Sequence, residues 1–160
     1  MLHLIKEDNP IWNLEKNRIF TSIDQGTFEY NLKELGLGIA LEHEWWKLVE
    51  NKKVLGFGWI NYTNDDFEIS FVVYDDYTGK GLGSFIINEL EKLGESKGYR
   101  KILAIVKETN PNSEKIIEYL YRKGYSFYID GIDQKNIKQP IQSAIRAIGM
   151  SDVHLLKFIN

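Results

Sequence analysis

Thr78-Gly79-Lys80-Gly81-Leu82-Gly83 decides the fold, because three glycines alternate where a strand pattern gives way to a helix pattern. Before it, residues 67–74 hold Ile69-Ser70-Phe71-Val72-Val73, a β-branched and aromatic run that suits a mostly buried strand. After it, Ile86, Ile87, Leu90 and Leu93 recur at helical spacing, with Glu89, Glu91, Lys92 and Glu95 on the opposite side. Without Cβ atoms, the backbone can reach positive φ and approach a ligand closely. The N–H groups of residues 79–84 would then converge on an anion at the positive end of a helix dipole, and phosphate or pyrophosphate is the natural guest. Glycines chosen only to bend a tight connection would leave the same pattern. A Walker A loop is absent, and a Gly-x-Gly-x-x-Gly fingerprint would place the third glycine one residue later.

Working outward, Lys101–Val106 is a short apolar strand, and residues 112–123 form a second amphipathic helix with Ile116, Ile117 and Leu120. Gly124 stops that helix, and residues 125–128 read as another strand. Strand, glycine turn, helix and strand make a βαβ crossover, so residues 67–74 should run parallel to residues 101–106. Upstream, residues 45–50 and 54–63 are aromatic and β-branched, separated by the turn Asn51-Lys52-Lys53. A second turn at Asn64-Asp65-Asp66 completes an antiparallel meander. His3–Lys6 reads as a first strand, followed by helices near 11–19 and 27–35, the second stopped by Gly36 and Gly38. A short helix is expected from Pro140 through Ile141, Ile145 and Ile148 to Gly149, and Val153–Phe158 is a final strand. No repeat or linker divides the chain, so residues 1–160 should be one domain of α/β (α+β) class.

Composition narrows the function classes. Hydrophobic residues make up 43% and charged residues 27%, which argues against global disorder. A net charge of -3 argues against a general nucleic-acid partner. The absence of cysteine removes disulfides, thiolate metal sites and a cysteine nucleophile together. The first thirty residues lack an apolar signal region, and no apolar run approaches the roughly 20 residues of a membrane span. The expectation is a soluble, cytoplasmic protein with neither membrane nor nucleic-acid partners.

Taken in order, these motifs resemble the GNAT superfamily of N-acetyltransferases. Its acetyl-CoA motif, Gln/Arg-x-x-Gly-x-Gly/Ala, lies between the fourth strand and third helix, and Gly81 and Gly83 match both glycine positions. Thr78 stands where the family has Gln or Arg, which loses a side-chain contact but keeps the backbone cradle. Phe67-Glu68-Ile69-Ser70-Phe71-Val72-Val73 looks like the fourth strand, and Asn112 followed by a helix and Gly124-Tyr125 is similar to the family's Asn…Leu-Tyr-x-Lys-x-Gly-Phe pattern. The match spans about residues 54–128 and leaves 1–44 and 129–152 without an alignable motif. It implies a GNAT-like mixed, mostly antiparallel sheet of six to seven strands flanked by helices, with a βαβ acetyl-CoA-binding core.

The resemblance also implies an activity: acetyl transfer from acetyl-CoA to a primary amine of a small-molecule or peptide acceptor. The attack is direct, in a ternary complex, and needs no metal. A homodimer is a further expectation, since many such domains dimerise. Thr78, Gly79, Lys80, Gly81, Leu82, Gly83 and Ser84 would cradle the pyrophosphate. Backbone groups of Val72 and Val73 would pair with the pantetheine arm where the fourth strand splays from the fifth. Asn112 would contact the cofactor or cap its helix, a role Asn110 before Pro111 could equally fill.

Amine acylation by a thioester needs a base for the ammonium, polarisation of the carbonyl, and a proton for the leaving thiolate. Glu68 corresponds to the strand glutamate that some family members use as the base; an ordinary solvated strand residue is the plainer reading. For the acid, counting from Asn112 points to Tyr119 and counting back from the glycine points to Tyr121, while Leu120 holds the strict four-before-glycine position. The two tyrosines lie about 160° apart on a helical wheel, so only one can face the thioester; the sequence leans to Tyr121. Trp45, Trp46 and Trp59 read as sheet core rather than as an acceptor pocket, and His3, His43 and His154 are too scattered for a metal site. Two other readings stand beside the enzyme. One is a non-catalytic acyl-CoA-binding or regulatory domain on the same fold, and the other a nucleotide-phosphate binder.

Overall fold

The computed structural model describes residues 1–24, 26–28, 35–63, 66–74, 79–107, 109–129, 132–133 and 152–159. Asp65, Thr78 and the helix expected from Pro140 lie outside these residues. In chain order the elements are β1 (His3–Lys6), α1 (Leu14–Ser22), β2 (Glu44–Glu50), β3 (Lys53–Tyr62), β4 (Phe67–Val73) and α2 (Leu82–Ser96). They continue with β5 (Lys101–Val106), α3 (Ser113–Arg122), β6 (Ser126–Ile129), β7 (Ile132–Asp133) and β8 (Val153–Phe158). The sheet runs β1-β2-β3-β4-β5-β8-β6-β7. Seven of these strands have four or more residues, as expected, and the two-residue β7 is added at one edge.

The meander closes where its sequence turns. Asn51 and Lys52 both have positive φ, 51° and 66°, the geometry that lets a two-residue hairpin match the right-handed twist of its strands. β4 pairs with β3 along its whole length, from Gly56↔Val73 to Tyr62↔Phe67. β5 in turn pairs fully with β8, from Lys101↔Phe158 to Val106↔Val153. The β4–β5 contact is parallel, as the crossover requires.

α2 and α3 share one core cluster with the sheet, in which Ile86, Ile87 and Leu90 of α2 meet Ile117 and Leu120 of α3. Each such side chain contributes about 1.5–3 kcal/mol by burial. On the other face, Trp12, Ile19 and Phe20 pack with Trp45, Phe57, Trp59 and Val72. Trp45 and Trp59 stack with centroids 4.6 Å apart, so these indoles are core, and Trp46 is half-buried against the first cluster.

The N-terminal third departs from expectation. The first helix starts at Leu14 rather than near Ile11, because Asn13 caps it by accepting the Lys16 N–H at 2.9 Å. Ile11 and Trp12 are extended instead: Ile11 bridges Ala40, and Trp12 donates its N–H to the Ile39 carbonyl at 2.8 Å. Thr27, Phe28 and Leu35 are not helical, and the rest of the second expected helix falls outside the described residues. Among the described residues, no helix is long and apolar enough to cross a membrane.

Candidate functional site: a forked sheet at the glycine turn

β4 and β5 bond at only two registers, Phe67↔Ile102 and Glu68↔Leu103, and then part. The gap opens a cleft of about 450 Å³ lined by Ser70, Phe71, Val72 and Val73 of β4 and by Ala104, Ile105 and Val106 of β5. The start of α2 closes one end, with Gly79, Gly81, Leu82, Gly83 and Ser84 in the wall. Lys80, in the same turn, is exposed and outside the lining.

The three glycines do different work. Gly79 and Gly81 have φ of 79° and 77°, and a Cβ at either would meet open space, so they serve the turn itself. Gly83 is helical, and its Cβ would lie 2.8 Å from the Phe71 ring, so it lets α2 sit close on β4. Gly81 is the N-cap of α2 without a side-chain cap bond. The N–H groups of Leu82, Gly83 and Ser84 belong to the first turn, which has no intrahelical acceptors for them. An elongated anion suits this arrangement, with the N–H groups of a helix start at one end and parted strand edges along the middle.

Glu68 sits at the fork, in the last register before the strands part. It is half-buried, and burial raises its carboxyl pKa above the ordinary value. A hydrogen bond from Asn61 Nδ2 to Oε1 at 3.4 Å and the nearby His43, His154 and Lys107 pull it down without cancelling that rise. Glu68, His43, Asn61 and Lys107 line a second cavity of about 660 Å³, and Trp59 and Phe28 supply its aromatic wall. The histidines that look scattered in the sequence thus include two that gather near one carboxylate. Only the Asn61–Glu68 pair could have been found beforehand, by counting register outward from the turn at residues 63–66.

Between the two tyrosines, geometry favours Tyr119. It lines the cleft, and its hydroxyl hydrogen-bonds the Ser84 Oγ at 2.5 Å. Tyr121 is half-buried against the core and is not in the cleft lining. The cleft is therefore faced by Tyr119 and not by Tyr121, toward which the sequence leans. Ile117 and Leu120 are buried in the core, and residue 119 meets Ser84 of α2, the position reached by counting from Asn112. Asn112 occupies the N-cap position of α3 but makes no capping bond. Its N–H goes to Asn110 Oδ1 at 2.8 Å, and its side-chain amide donates to Asp24 Oδ2 at 2.7 Å.

A family model described as the acetyltransferase (GNAT) family matches residues 9–125. The chain belongs to that family. Among curated protein sequences no match is found. Among solved structures, this GNAT protein resembles the ribosomal-protein-S18-alanine N-acetyltransferase of Escherichia coli, with TM-score 0.62 and 17% identity over all of this chain and 95% of that one. It resembles the IAA acetyltransferase of Bacillus cereus with TM-score 0.65 and 10% identity, covering 99% of this chain and 100% of the other. The PaiA N-acetyltransferase of Thermoplasma acidophilum, solved with coenzyme A, matches at TM-score 0.53 and 17% identity, over 72% of this chain. This chain spans 60% of that protein's length. At these identities the likeness is one of fold.

Proposed function

We propose that this GNAT protein transfers an acetyl group from acetyl-CoA to a primary amine, on a small molecule or a peptide. The observation that carries the proposal is the fork, where β4 and β5 part beyond Glu68 and leave a cleft that starts at the glycine turn. When bound, acetyl-CoA would supply an activated acyl carbon. Gly79, Gly81, Leu82, Gly83 and Ser84 would hold its pyrophosphate, with the Val72 and Val73 backbone alongside the pantetheine arm. Glu68, which holds the last paired register and lines the second cavity, would take the ammonium proton from an acceptor lodged there. Burial raises its pKa, which makes it a stronger base than an ordinary carboxylate. Tyr119 would give its proton to the departing sulfur, with Ser84 fixing the hydroxyl's direction.

A panel of small amines and peptides, incubated with acetyl-CoA while free thiol is followed, tests the reaction. Absence of thiol release with every amine of the panel, despite tight acetyl-CoA binding, would favour the non-catalytic reading. Tyr119→Phe is expected to lower kcat by about 10²-fold, the low end for a general acid, with Tyr121→Phe close to wild type. The reverse order would return the role to Tyr121.

A further inference from the structure

One wall of the cleft comes from residues that carry no motif. Ile23, Asp24, Thr27 and Phe28 follow α1 and line the cleft, and Thr27 and Phe28 line the second cavity as well. They are a partition shared by the two compartments. Phe28 anchors it in the aromatic cluster, with its ring centroid 5.1 Å from Trp59 and 5.5 Å from Phe20.

Two contacts tie this partition to the β5–α3 connection across the cleft. Asn112 Nδ2 donates to Asp24 Oδ2 at 2.7 Å, and Thr109 Oγ1 donates to the Gly26 carbonyl at 2.5 Å. The backbones themselves touch there, because a Cβ on Gly26 would lie 2.4 Å from the Thr109 carbonyl oxygen. Asn112 forgoes the capping bond that an N-cap asparagine ordinarily makes and directs its side chain at Asp24 instead.

We propose that Asp24 and Asn112 are positioning residues whose bond latches the partition across the cleft, so that Thr27 and Phe28 form a fixed wall of the acceptor cavity. The proposal rests on the reading of the fork as an acetyl-CoA site with the acceptor beside it. Without the latch the wall moves, and the acceptor loses a surface against which to bind.

A double-mutant cycle read in two ways tests it. Acrylamide quenching of tryptophan emission in the ligand-free protein reports the partition itself, since Trp59 is 5% exposed beneath Phe28. Asp24→Ala and Asn112→Ala should each raise the quenching constant, the double variant no more than either, because the two residues act as one unit. In turnover, Asp24→Ala should raise the acceptor KM about five- to tenfold, the worth of one ordinary hydrogen bond. Asp24→Asn, which keeps an acceptor oxygen, should recover most of both changes. Unchanged quenching in both single variants overturns the latch, as does an additive double variant. Failure of the wild-type protein to bind acetyl-CoA would remove the functional reading, yet the quenching cycle would still decide whether the partition is latched.

Discussion

Glu68→Gln is expected to lower kcat/KM for the amine by about 10²–10⁴-fold, the usual contribution of a positioned base. Glu68 holds the last paired register of the fork and lines the second cavity, and its carboxyl pKa is raised, chiefly by burial. A base must be ionised to act, so wild-type kcat/KM should fall as pH drops through that raised value. The acid limb therefore lies above the ordinary glutamate pKa of about 4.3. The glutamine variant should lack this limb. Stability supplies a control with a definite sign. A carboxyl that binds its proton more tightly when folded loses stability as pH rises from the unfolded to the folded pKa. Glutamine cannot ionise, so at pH 7 the variant should melt no lower than wild type, and lost turnover is not lost fold. A pH profile and melting curve on both proteins check this. An acid limb unchanged in the variant would remove Glu68 from the mechanism.

Lys16→Ala is expected to destabilise the fold by about 3–5 kcal/mol, as when one partner of a buried ion pair is removed. Lys16 is 0% exposed. Its Nζ donates to Glu7 Oε1 and to the Ile11 carbonyl, both at 2.9 Å, and lies 4.9 Å from the Phe57 ring centroid and 5.2 Å from that of Trp45. The other oxygen, Glu7 Oε2, is already buried without a hydrogen-bond partner. Removing the lysine would leave the whole carboxylate uncompensated beside an aromatic cluster, and it would free α1, the element that leads into the partition at Asp24. Urea unfolding measures the loss. Combining Lys16→Met with Glu7→Leu should recover most of it, because an apolar pair carries no desolvation penalty. A loss below about 1 kcal/mol in Lys16→Ala would mean that water reaches the pair.

How much of this was legible beforehand follows from how local each signal is. Period changes marked the meander and the βαβ unit, since Ile69, Ile86, Ile87 and Leu90 repeat on the face they bury. The glycine turn was visible as a motif, but only the packing of Gly83 on Phe71 separates its role from those of Gly79 and Gly81. Wheel geometry showed that Tyr119 and Tyr121 cannot share a face, and choosing between them required knowing where Ile117 and Leu120 pack. The start of α1 was misplaced because Trp12, apolar enough for a helix stripe, pairs its backbone with Ile39 instead. Lys16 reads as a surface residue in any window, and nothing nearby announces an aromatic box. The surroundings of Glu68 were least legible: His43, Lys107 and His154 come from three parts of the chain and meet only when β5 lies between β4 and β8.

Calorimetric titration with acetyl-CoA tests the central claim most directly, because the cleft either holds this ligand or it does not. Wild-type protein should bind about one equivalent per chain, as a single cleft requires. Gly81→Ala should bind about tenfold more weakly, since the strain of a φ of 77° on alanine would twist the turn out of its cradle geometry. Saturable binding of ATP or NAD with no response to acetyl-CoA would contradict the assignment and make the turn a nucleotide-phosphate site.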